Sequence, residues 1–256
     1  MNTALLPHVA LAGVLLAATA CTPTTPLQPP APTTASPVMP ASATTTIPIS
    51  PQTGQSSSQS YTVRYTDIDG ATSDSAGQWT TRAGLVDGGN PQVAGAFNAA
   101  SRNSVNNLID TVRDQAHADK WTFDAHSAVS FQPVAISQVT TGSYYAAQAA
   151  HPADYLTTIV IDSRDARPIT LGRLFSDEAA GLNRLSETIR QIQQVDSAGN
   201  APTEKNFANW IPTADGMEIH FSDYQSGHGL PVFTVPWSAL AEVLAPDMRA
   251  LTGSPS

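Results

Sequence analysis

NPQVAGAFNAASRNSVNNLIDTVRDQA, residues 90–116, is the stretch on which the fold reading turns. Asn90 is a good N-cap, and Pro91 suits the first helical position, where its missing N–H leaves no bond unmade. Val93, Phe97, Val105, Leu108, Ile109 and Val112 then recur at helical spacing, so a helix is predicted over roughly 91–116. Just upstream, Asp87-Gly88-Gly89 ends a strand-like run from Trp79 to Val86. A helix entered straight from a strand needs a sheet to pack on, and the rest of the chain supplies one.

Residues 61–65 alternate ring or aliphatic with polar, the period of a half-buried strand. Trp121 to Val139 reads as strands broken near Pro133, with Thr141-Gly142 as a turn and Ser143 to Ala149 extended. Tyr155 to Asp162 is a strong strand whose continuous apolar end predicts burial on both faces. After the turn at 163–167, Pro168 to Leu171 reads as a short returning strand. Ser176-Asp177-Glu178 opens a second helix, with Leu182, Leu185, Ile189 and Ile192 on one face. Asp215-Gly216 centres a hairpin between residues 207–212 and 217–221. A strand at 231–235 and a short helix from Pro236 close the chain. The predicted class is α+β: a curved, mostly antiparallel sheet packed against two main helices.

The first sixty residues are of a different kind, with no Asp, Glu, Lys or Arg among them. Val9 to Ala20 is an apolar run of the length of a signal-peptide core and short for a spanning helix. Small residues, Ala18-Thr19-Ala20, lead directly into Cys21, the only cysteine of the 256 residues, which therefore makes no intramolecular disulfide. This arrangement resembles the bacterial lipobox and implies a signal peptide over 1–20 with Cys21 as the lipid anchor, although Ala18 stands where Leu is usual. The same residues fit an ordinary A-x-A cleavage site or an uncleaved anchor. The composition beyond the cysteine favours the lipid: residues 22–60 are rich in Pro, Thr and Ser and lack any aromatic ring. Such a segment buries too little apolar area to offset its ordering entropy, so 21–60 is predicted to be a disordered tether and 61–256 the globular domain. The expected location is extracytoplasmic, anchored to the cell membrane of a bacterial envelope.

All 12 basic and 21 acidic groups lie in that domain, which carries the net charge of −9. An acidic surface argues against nucleic acid, whose phosphates require Lys and Arg. Chemistry-bearing motifs are scarce. Gly-x-Ser-x-Gly, a glycine-rich phosphate loop and His-Glu-x-x-His are all missing from the sequence, so no catalytic residue, metal or cofactor is expected. His220, Asp223 and His228 match no metal-ligand spacing, and His220, on an alternating strand, is expected to face water. One stretch stands out. Phe221-Ser-Asp-Tyr-Gln-Ser-Gly-His-Gly-Leu-Pro231 sets Tyr224, Gln225 and His228 among glycines between two strands. Aromatic and amide groups on such a loop suit recognition, and the competing reading is a structural connection. Tyr144 to His151-Pro152 is a weaker stretch of the same kind, with Tyr144 and His151 as its candidates.

The order of several features resembles the domain of unknown function found in the extracellular part of RsiV-type anti-sigma factors, and a related secreted mycobacterial antigen family. The matching features are Asn90-Pro91 with Phe97-Asn98; Tyr144 to His151-Pro152; the strand ending at Asp162; Ile169-Thr-Leu-Gly-Arg-Leu-Phe175; Asn206-Phe207 leading to Asp215-Gly216; Phe221-Ser-Asp-Tyr224; and Val235-Pro-Trp-Ser-Ala-Leu240. The resemblance implies binding and no known catalysis. In RsiV such a domain recognises lysozyme, so lysozyme or another envelope protein is the implied partner, beside the membrane through the N-terminal lipid. No anti-sigma segment precedes the domain here, so signalling in cis is not expected. A hydrolase acting on envelope glycan or ester is the alternative.

Overall fold

The computed structural model describes residues 52–194 and 198–253. The signal peptide, Cys21 and residues 22–51 of the predicted tether lie outside the described residues. The globular part begins earlier than the sequence indicates. Strand β1 (Thr53–Ser56) pairs antiparallel with β2 (Gln59–Asp67) through a turn at Ser57-Ser58. Residues 53–60 are therefore part of the domain, a correction to the boundary at 61. The reason is polar and tertiary. Gln52 Nε2 donates to the Val129 carbonyl at 2.9 Å, Ser56 Oγ lies 2.6 Å from Ser163 Oγ, and Gly54 lets the Phe131 ring lie flat on its backbone. None of these partners is local, so composition alone reads the segment as tether.

The main sheet continues with β3 (Gly70–Ala71), β4 (Gly77–Gly88), β5 (Trp121–Gln132), β6 (Ala135–Ala146) and β7 (Ala153–Asp162). Its order is β1-β2-β4-β5-β6-β7, with β3 added on β4. Every pairing is antiparallel except β4 with β5, which is parallel. A parallel neighbour needs a crossover, and helix α1 (Pro91–Gln115) provides it, with the Asn90 side chain accepting from Gln92 N. α1 lays Val93, Phe97, Val105, Leu108, Ile109 and Val112 on one face of the sheet.

Thr141 and Gly142 are not a turn; β6 runs straight through them, opposite His126 and Ala125. The glycine is there because the Phe123 ring crosses its Cα within 2.5 Å of where a Cβ would sit. In β7, Ile159 and Ile161 face α1 while Val160 faces the opposite core, the two-sided burial expected of that strand.

That opposite core is the larger. It holds the short helix α2 (Leu171–Leu174), α3 (Glu178–Gln193), a second sheet, and α4 (Trp237–Leu240). Instead of a returning strand, Pro168 makes a single bridge to Ile161, and Thr170 then caps α2. Asp177 caps α3, whose buried face ends at Ile189; Ile192 is exposed. The second sheet, β8 (Trp210–Pro212), β9 (Gly216–His220) and β10 (Val232–Pro236), is all antiparallel in the order β10-β9-β8. The class is α+β, with a mostly antiparallel seven-stranded sheet packed against helices and a small three-stranded sheet beside it. The strand ending at Asp162 closes on a buried ion cluster: its carboxylate, fully buried, receives Arg164 and Arg173 at 2.7 Å each. No helix among the described residues is long and apolar enough to cross a membrane.

Candidate recognition site

The loop between β9 and β10 is held by side-chain hydrogen bonds to backbone at both ends. Asp223 Oδ1 accepts from Gly229 N at 2.7 Å and lies 3.2 Å from His228 Nδ1. Gln225 reaches the other way: its Nε2 donates to the Asn206 carbonyl at 2.9 Å and its Oε1 accepts from Ser222 N at 3.2 Å. Tyr224 sits between these two anchors with φ +62°, a left-handed conformation uncommon for a bulky residue. Its N–H donates to the Gly227 carbonyl at 2.9 Å. Held in this way, Tyr224 is 68% exposed, the most exposed large hydrophobic residue among the described residues. Backbone strain of this kind costs about 1–3 kcal/mol and persists where surrounding bonds enforce it, often at ligand clamps.

The His228 ring lies against Tyr224, with centroids 5.2 Å apart, and against His151 edge-on at 5.8 Å. The two stretches singled out in the sequence, more than seventy residues apart, therefore meet in one exposed cluster of Tyr224, His228 and His151. The remaining two candidates have other roles. Gln225 is a brace whose amide is consumed by backbone. Tyr144 is half-buried against the core under α1: its ring packs 5.8 Å from Trp121 and 6.5 Å from Tyr155. Cys21 lies outside the described residues.

His220 is a further correction. Its side chain is only 10% exposed, with Nε2 3.0 Å from Glu218 Oε1 in poor hydrogen-bond alignment. Alternation on β9 puts it across from Ile219 and Phe221, but the face it shares with Glu218 is covered too. Burial holds its pKa below the ordinary histidine value, against the opposing pull of Glu218. Among the described residues, no group of three His, Cys, Asp or Glu side chains is placed to hold a metal. Asp223 and His228 form two parts of a catalytic-triad geometry, yet no hydroxyl among the described residues hydrogen-bonds to His228.

The tyrosine loop forms one wall of a groove of about 910 Å³. The opposite wall is α1, which presents Asn103, Asn107 and Thr111 at four-residue steps, and the floor is β7 from Ala153 to Ile159. Tyr155 on that floor donates to Gln115 Oε1 at 2.8 Å, and its burial beside Tyr144 raises its pKa. The sequence reading missed this helix face. Its signal is an uncharged Asn/Asn/Thr/Gln ladder at 103, 107, 111 and 115, but ladders of this kind are ordinary on solvated helices.

The overall architecture, a crossover helix over a mostly antiparallel sheet, is similar to that of solved structures. This is the DUF3298 fold. A DUF3298 member from Bacteroides fragilis superposes with a TM-score of 0.56 at 11% identity, covering 78% of this chain and all of the other. A DUF3298 protein from Pseudomonas aeruginosa PAO1 gives 0.51 at 11% identity, covering 73% of this chain and 95% of its own. DUF3298 is the RsiV-type extracellular domain family, so the resemblance carried by the ordered motifs is matched in the fold. No family model and no curated protein matches the chain by sequence. At this identity the likeness speaks for the architecture alone.

Proposed function

We propose that this DUF3298-fold domain is an exported, non-catalytic binding module, held to the bacterial cell membrane through a lipid on Cys21, whose partner is a basic protein of the envelope. The observation that carries the reading is the Tyr224 ring: strained, braced from both sides and turned to solvent beside His228 and His151. A fold that spends backbone strain to keep an apolar ring in water is organised for a partner that covers it. The net charge of −9 favours a basic partner by steering its approach. Lysozyme is strongly basic and is the partner that the RsiV resemblance implies, so it is the first probe.

The test is calorimetric titration of the full chain with lysozyme at low and high salt. The reading predicts saturable binding that weakens as salt screens the charges over a Debye length of about 10 Å at 0.1 M. Absence of binding at both salt concentrations would contradict lysozyme as the partner. Turnover of a glycan or ester substrate, lost on changing His228, would contradict the non-catalytic reading. The anchor has its own check: intact-mass analysis of the membrane fraction should find a diacylglyceryl or acyl mass on Cys21, and an unmodified N-terminus contradicts it.

A further inference from the structure

β7 is the last strand of the seven-stranded sheet, and only half of its outer edge is closed. The Val160 carbonyl accepts from Ile169 N and the Asp162 N–H donates to the Arg167 carbonyl, both at 2.9 Å. These groups point away from β6, and backbone direction along a strand repeats every two residues. The N–H and C=O of Thr158, Leu156 and Asp154 therefore point the same way. Cover from the fold itself reaches Thr158, whose Oγ1 accepts from Trp210 N at 3.0 Å. Among the described residues, Leu156 and Asp154 have no backbone partner on that side. An open edge invites another strand, and proteins ordinarily blunt it. Here the open half is instead the floor of the groove between α1 and the Ser222–Tyr224 loop.

We propose that residues 153–157 of β7 receive an extended, basic segment of a partner protein by strand addition. The proposal rests on the reading of this face as the binding surface and names the chemistry of the occupant. Backbone groups repeating every second residue recognise a polypeptide, since no other ligand carries donors and acceptors at that period. The open stretch is about 16 Å long at roughly 3.3 Å per residue, enough for some five residues of partner. The walls exclude a second copy of the chain, whose own β7 lies recessed between its own helix and loop.

Charge selects the segment. Asp124 pairs with Ser143, and Ser143 with Asp154, so the three form one cross-strand row on the face away from α1. Asp124 and Asp154 line a common hollow there. The next position in that row belongs to the added strand, and a Lys or Arg placed there lies directly beside the Asp154 carboxylate, with Asp124 two strands further along the same row. Neighbouring side chains of the added strand point to the other face, toward Asn103, Asn107 and Thr111, which suit hydroxyl and amide groups.

The probe is acetyl-(Thr-Lys)3-Thr-amide added at millimolar concentration to the full chain, read by residue-resolved amide exchange. Exchange at Leu156 and Asp154 should slow by about ten-fold or more, while core amides stay unchanged. The Glu-for-Lys peptide and a peptide N-methylated at alternate residues should give no protection. Asn107→Trp, which fills the groove from an exposed helix position, should abolish protection, and Asp154→Asn should weaken it several-fold. Fast exchange at Leu156 with the Lys peptide overturns strand addition, as does equal protection by the Glu peptide. Slow exchange at Leu156 without peptide means that this chain or a second copy already occupies the edge, and also overturns it. So does a groove perturbed by chitotetraose and by no peptide, which marks a glycan site. Lysozyme binding that is lost in Tyr224→Ala while Leu156 stays fast keeps the recognition loop and removes only the strand.

Discussion

Tyr144 and Tyr224 stand side by side as candidates in the sequence, each an aromatic residue a few positions from a histidine, and the structure gives them opposite roles. Tyr144 lies near the end of β6, paired to β5 and to the first residue of β7, with its half-buried ring between Trp121 and Tyr155. Tyr224 lies on a braced loop with φ +62° and is 68% exposed. The difference teaches that an aromatic side chain is informative where the fold refuses to bury it. Tyr144 contributes to packing from a half-buried position beside the core, whereas Tyr224 costs strain and exposure, which the proposed partner would offset.

The comparison breaks most visibly at the packed member. Tyr144→Ala opens a gap in the Trp121–Tyr144–Tyr155 cluster and should destabilise the domain by about 2–3 kcal/mol, read by denaturant unfolding. A loss below that range, with partner affinity reduced, would reverse the two roles. Next in size is Gln225→Ala. It removes the amide that holds Asn206 and Ser222 and should cost about 1–2 kcal/mol, together with affinity, because the tip of the loop loses one of its two anchors. Unchanged stability would show that Gln225 is free to contact a partner directly.

A third effect runs with pH. Burial holds the His220 pKa below its ordinary value of 6.5. The unfolded chain then takes up the proton first on acidification. The stability associated with neutral His220 is present above pH 6.5 and is lost as pH falls through the folded value. Melting temperature should therefore drop on acidification below that point, and His220→Phe should flatten the slope in that window. A slope of the opposite sign would mean that the Glu218 interaction outweighs burial. Smaller again is Tyr224→Asn. Asn tolerates the left-handed region, so stability should rise by about 0.5 kcal/mol or less, and a fall would show that the ring packs on the domain.

Much of the architecture is legible in the sequence. The Asn90-Pro91 start, the periodic face of α1, the Asp177 cap and the Asp215-Gly216 hairpin are local signals, and each has its counterpart in the fold. The illegible parts depend on partners distant in sequence. The β1 hairpin is held by Val129, Phe131 and Ser163. Gly142 is explained by a ring nineteen residues earlier and looks like a turn without it. The strands after residue 207 read as part of one sheet and form a second, because alternation reports a strand and says nothing of its neighbours. At the site, the loop chemistry of Tyr224 and His228 is readable, and the meeting of His228 with His151 is not. The groove needs three elements, α1, β7 and the loop, to be placed together before it exists.

The measurement that bears most directly on the central claim pairs affinity with melting for one variant, Tyr224→Ala, in the full chain with lysozyme as probe. The account predicts a melting free energy within about 0.5 kcal/mol of the parent and an affinity loss of about 2 kcal/mol, roughly thirty-fold, or more. A clear loss of stability with affinity unchanged would make Tyr224 a structural residue and contradict the recognition site.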